Sequence, residues 1–79
     1  MKYIFHGTNA KLLDEGLVAG TFFTEDLEIA LKYGNTIYAI DFDLYHWLFY
    51  ITGEGYPVSH NFIPLEYLKI LSTAKKEGK

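Results

Sequence analysis

The chain has 79 residues, of which 49% are hydrophobic and 18% aromatic, with a formal net charge of −3. That is enough apolar material for one small core, too much for intrinsic disorder, and too little chain for a second domain. The absence of cysteine excludes disulfide staples, thiolate metal sites and a cysteine nucleophile.

All seven basic residues are lysines, three of them in the C-terminal "KKEGK". Arginine supplies the planar fork that grips phosphates and guanine edges. An acidic chain without it is not built as a dedicated DNA or RNA binder. No apolar run is long enough for a membrane helix, and "MKYIFHGTNAK" lacks a signal-peptide core. A cytoplasmic location is therefore expected. So is a single domain over residues 1–72 with a flexible tail at 73–79. Dimerisation or a bound ligand would add stability to so small a core by mass action.

Lys2–Phe5 alternates and is rich in strand formers, which predicts a strand ending at His6. "TNAKLLDEG" reads as a short helix, with Thr8 or Asn9 as its N-cap and Gly16 in a left-handed position after its end. "GTFFT" is extended. Thr24 is then expected to cap a second helix with Glu25 and Asp26 in its first turn, helical spacing at Leu27, Ala30 and Leu31, and Gly34 as its stop. "TIYAIDFD" is apolar on both faces, as a central strand is. "HWLFYI" and "YPVSHNFI" predict a hairpin turning through Gly53 and Gly55. After a proline turn, a last strand is expected over Tyr67–Leu71. The sum is an α+β domain of about five or six strands and two short helices.

Three stretches carry candidate chemistry. The first is His6-Gly7-Thr8 at a strand end; the second is "GTFFTEDLEIALKYG", with Phe22, Phe23, Ala30 and Tyr33; the third is Glu54 within "GEGYPVSHNFIPLEYLKIL". Each also has a plain structural use. Gly7 and Thr8 suit a strand-to-helix corner, aromatic residues at strand and helix spacing suit a core, and Glu54 between two glycines suits a hairpin tip.

In this order, the stretches resemble the ADP-ribosyltransferase fold of the His-Tyr-Glu type, to which poly(ADP-ribose) polymerases and diphtheria-type toxins belong. The resemblance runs from Tyr3 to Leu71 in compressed form and implies a compact split sheet. It implies that His6 bonds the adenine-side ribose of NAD, that Gly7 pairs its backbone with the nicotinamide amide, and that Thr8 completes the motif. Phe22 and Tyr33 would sandwich nicotinamide, with Gly20, Phe23 and Ala30 shaping the wall. Phe22 stands where the family has tyrosine, which keeps the flat face and removes a hydroxyl. Glu54 would bond the nicotinamide-side ribose and, with His6, form the catalytic pair. A carboxylate beside a developing oxocarbenium in a dry pocket is a large electrostatic effect.

Other polar residues carry weaker signals. Glu66 is expected to face water, Asp41 and Asp43 to be solvated or capping, and Tyr56 to stand beside Glu54. His46 and His60 have no metal-ligand spacing with His6, so no metal is expected. RNA 2′-phosphotransferases share the fold, and their ending is similar to "FYITGEGYPVSHNFIPLEYL". They bind a 2′-phosphate through arginines that this chain lacks.

The resemblance thus implies an NAD-binding transferase that cleaves the nicotinamide–ribose bond and passes ADP-ribose to a protein or other acceptor. NAD would be the substrate, with no metal. The alternative is a non-enzymatic module on the same fold that binds NAD, an ADP-ribose-like nucleotide or a protein partner, as a homodimer or as a phage or mobile-element effector or inhibitor.

Overall fold

A computed structural model describes residues 2–9 and 16–72 of the chain. The expected helix in "TNAKLLDEG" falls largely on residues 10–15, and the expected tail on 73–79; both lie outside the described residues. The elements are β1 (Tyr3–Thr8), β2 (Gly16–Leu17), α1 (Leu27–Leu31), β3 (Thr36–Asp41), α2 (Phe42–Tyr45), β4 (Phe49–Ile51), β5 (Pro57–Ser59), β6 (Ile63–Pro64) and β7 (Lys69–Ser72). Single 3-10 turns cover His46–Leu48 and Leu65–Tyr67. This is a small α+β fold with its strands in small sheets.

β3 lies at the centre of an antiparallel sheet of order β1-β3-β7. Ile37, Tyr38, Ala39 and Ile40 are all at most 1% exposed, which explains why this strand is apolar on both faces. On one face Tyr38 and Ile40 join Ile4, Leu17, Phe23, Leu48, Phe49 and Ile63 in a single cluster. On the other, Gly7 and Ile37 are paired neighbours under Ala30 of α1.

The segment 20–24 joins this sheet to the β4–β5 hairpin. Phe5 and Thr24 exchange backbone hydrogen bonds at 2.7 and 2.8 Å. On the opposite edge, Phe23 N–H donates to Pro57 O at 2.9 Å and Ser59 N–H to Thr21 O at 3.1 Å. The segment therefore runs extended, as expected, between β1 and β5.

Several boundaries differ from those the local sequence predicts. Asp26, not Thr24, caps α1: its carboxylate accepts from Glu28 N at 2.9 Å. Thr24 cannot start the helix because its backbone is committed to Phe5; its hydroxyl instead accepts from Asp26 N at 3.1 Å. The helix ends at Leu31 with Lys32 as its C-cap, and Gly34 is not among the positive-φ glycines Gly16, Gly20 and Gly55. Gly34 is glycine because a Cβ would collide with the backbone of Thr8 and Asn9.

β3 stops at Asp41, whose carboxylate accepts from Leu44 N at 3.2 Å and turns the chain into α2. The predicted strand "HWLFYI" therefore shortens to Phe49–Ile51. The hairpin follows as expected. Thr52 N–H donates to Tyr56 O and Gly55 N–H to Thr52 O, both at 2.9 Å, with Gly55 at φ +93°. "YPVSHNFI" then breaks into β5, which pairs with β4, and β6, which pairs with β2. The last strand begins at Lys69 rather than Tyr67. Among the described residues there are seven strands instead of five or six, because β2 and β6 are only two residues each. Among the described residues, no helix is long and apolar enough to cross a membrane.

Two substitutions test this packing. Gly7→Ala would drive a methyl into the Ala30 carbonyl, and is expected to cost about 1–3 kcal/mol, read as a lower Tm. Tyr38 is 1% exposed and its hydroxyl is buried without a hydrogen-bond partner. Tyr38→Phe is expected to hold or raise stability, by about 1 kcal/mol, in the same melt.

Candidate functional site

A cleft of ≈ 340 Å³ opens where β1 and the segment 20–24 diverge. Four stretches line it: Phe5, His6 and Gly7 of β1; Phe22, Phe23 and Thr24; Ile29, Ala30 and Tyr33 on and after α1; and Glu54 and Tyr56 of the hairpin.

His6 holds the divergence open. Its Nδ1 lies 2.8 Å from the Phe22 carbonyl oxygen. A carbonyl can only accept, so Nδ1 carries the hydrogen, and in the neutral ring Nε2 is left as an acceptor. The ring sits 5.7 Å from Phe23 and 6.4 Å from Tyr38, nearly parallel to the latter at 28°. Its orientation is thus set by one hydrogen bond and two aromatic neighbours.

Gly7 follows from strand alternation. Phe5 directs its N–H and C=O away from β3, to Thr24. In an antiparallel ladder these directions alternate, so Gly7, two residues on, directs its own pair to the same outer side. The glycine itself is explained by α1, because the Ala30 carbonyl occupies the place of a Cβ. The close approach at this position is therefore between helix and strand.

The aromatic residues divide into two kinds. Phe23 is 2% exposed and packs edge-on against Phe49 at 5.1 Å, so it is core and cleft floor together. Phe22 and Tyr33 are 62% and 71% exposed, as aromatic walls with free faces are. Tyr33 is placed by its N–H, which donates to Ala30 O at 3.0 Å just past the helix.

Glu54 is at once hairpin tip and cleft wall. It is exposed, and its carboxylate is the only formally charged group among the described lining residues. Tyr56 stands beside it in the lining.

Not every candidate enters the cleft. Thr8 pairs with Thr36 at the end of β1, and Gly20 donates its N–H to Ser59 O at 2.9 Å; neither lines it. Asp41 caps α2, and Glu66 borders a smaller hollow of ≈ 210 Å³ beside β7. His60 lies against Tyr50 and His46 against Phe42. No group of three metal-ligating side chains occurs among the described residues. Phe5, Thr24 and Ile29 line the cleft without being site candidates in the sequence, where Thr24 reads only as a helix cap. Phe5 and Thr24 could be found only by knowing that they pair, and Ile29 only by its place one residue before Ala30.

The Phe22 wall is anchored from behind. Ser59 is 1% exposed, and its hydroxyl accepts from Thr21 N at 3.1 Å and reaches Val18 O at 3.3 Å. Ser59→Ala strands a buried N–H and is expected to cost about 1–3 kcal/mol in thermal unfolding. An unchanged Tm would show that the anchor carries no weight. Set against models of protein families, characterised proteins and solved structures, the chain matches none of them.

Proposed function

We propose that this chain is an ADP-ribosyltransferase-like protein that binds NAD and cleaves its nicotinamide–ribose bond. One observation carries the reading: four separate stretches of sequence bring His6, Gly7, Phe22, Phe23, Ala30, Tyr33 and Glu54 to a single cleft. A small α+β fold with its strands in small sheets supports a compact version of the fold that the motif order implies.

In this reading Phe22 and Tyr33 stack against nicotinamide. The outward N–H and C=O of Gly7 match the acceptor and donor of its carboxamide. His6 Nε2 accepts from a ribose hydroxyl, and Glu54 accepts from the 2′-hydroxyl of the nicotinamide-side ribose. The bond between ring nitrogen and C1′ then breaks, its electron pair passing to the nitrogen and leaving neutral nicotinamide. Glu54 stabilises the cation that develops on the sugar. A lone pair of the acceptor, a protein group or water, closes on C1′, and the acceptor's proton passes to solvent.

The exposure of Glu54 favours a second reading, a module on this fold that binds the nucleotide without turnover. A carboxylate in water stabilises a cation far less than one in a dry pocket.

Titration calorimetry with NAD tests the site, and a nicotinamide-release assay separates the two readings. Phe22→Ala and Tyr33→Ala are each expected to weaken NAD about tenfold, the scale of a lost ring stack. Glu54→Gln is expected to slow nicotinamide release about 100-fold. NAD binding that ignores both aromatic substitutions would sink the proposed site. Binding without release would leave the module.

A further inference from the structure

We infer that the cleft recognises a cationic pyridinium nucleoside, the ring and its sugar, and takes no affinity from the diphosphate and second nucleoside of a dinucleotide. This rests on reading the cleft as a nicotinamide site and names the part of the substrate that the chain holds.

Size is the first ground. At ≈ 340 Å³ the cleft is at the low end of small-molecule sites, which run from about 300 to 1,000 Å³. That scale suits a planar ring and its sugar better than a whole dinucleotide.

Charge is the second. No lysine among the described residues lines the cleft, and the chain has no arginine. Lys2 is held by Glu25 at 3.0 Å and sits 5.1 Å above the Phe42 ring; Lys69 sits 5.3 Å above Tyr3. The start of α1 disfavours anions: the Asp26 carboxylate accepts from Glu28 N, and Glu25 and Glu28 flank it. A diphosphate leaving the cleft on that side meets carboxylates.

The same features favour a cation. Glu54 is the one formally charged residue among the described lining residues, and the exposed rings of Phe22, Tyr33 and Tyr56 offer π faces to a positive ring. Nicotinamide is cationic while joined to ribose and neutral once released. The attraction therefore belongs to the substrate and is lost with the leaving group.

The test is calorimetric titration of the full chain with nicotinamide riboside, its reduced and uncharged form, NAD and ADP-ribose. Nicotinamide riboside and NAD are expected to bind within about threefold of each other, and ADP-ribose not at all. The reduced riboside is expected to bind at least about fivefold more weakly than the oxidised one. Glu54→Gln is expected to weaken both ribosides, which share the ribose hydroxyl, and to weaken the oxidised one more, because only its ring carries a positive charge. NAD binding more than about tenfold tighter than the riboside would overturn the inference while leaving the NAD site standing, as would measurable binding of ADP-ribose. Absence of binding by both NAD and the riboside would overturn the inference together with the site.

Discussion

The pair of backbone hydrogen bonds between Phe5 and Thr24, at 2.7 and 2.8 Å, is the constraint on which the site depends. It makes β1 a shared strand, bonded to β3 on one edge and to the segment 20–24 on the other. With Thr24 held there, α1 cannot begin before Asp26. The alternation of the ladder also turns the polar groups of Gly7 outward. Beyond Thr24 the two chains separate, and the His6 side chain takes the place of the next rung by bonding Phe22 O. The cleft is thus a sheet seam bridged by a side chain, with β1 and the segment 20–24 as two of its walls.

The third wall needs support from outside itself. A helix of five residues is too short to hold its shape alone. α1 is secured by its Asp26 cap and by the seating of Ala30 on Gly7, where the absence of a Cβ lets helix and strand touch. That seating places Tyr33 at the mouth of the cleft. Core and site accordingly share residues. Phe23 supports Phe49 and floors the cleft; Ala30 closes the sheet face and lines the cleft. In so small a chain there is little room for a core that is separate from the site.

The electrostatics follow from composition and placement together. The chain is acidic and its cations are lysines, and those described near the sheet lean on aromatic rings and on Glu25 rather than on the cleft. The cleft is consequently apolar, aromatic and singly negative. That character suits a flat ring better than a phosphate.

Much of this architecture was legible in local sequence. Alternation in Lys2–Phe5 and the two-sided apolar run Ile37–Ile40 mark β1 and β3, because side-chain period and burial are local consequences of strand geometry. The glycines at 16 and 55 mark positive φ, because only glycine takes it without strain. The turn at Thr52–Tyr56 follows from the same rule. Other features required the folded chain. Thr24 reads as a cap until Phe5 claims its backbone, Gly34 reads as a helix stop until Thr8 and Asn9 press against it, and α2 is hidden because Asp41 ends a strand and caps a helix at once. The meeting of His6, Phe22, Tyr33 and Glu54 at one cleft is of this second kind. The α+β class, the main strands and the chemical character of the candidate residues are written in local sequence, since these depend on neighbours within a turn or two. The tertiary structure alone decided element boundaries, the order of the strands and the existence of the cleft, since these depend on backbone pairing between residues far apart in the chain.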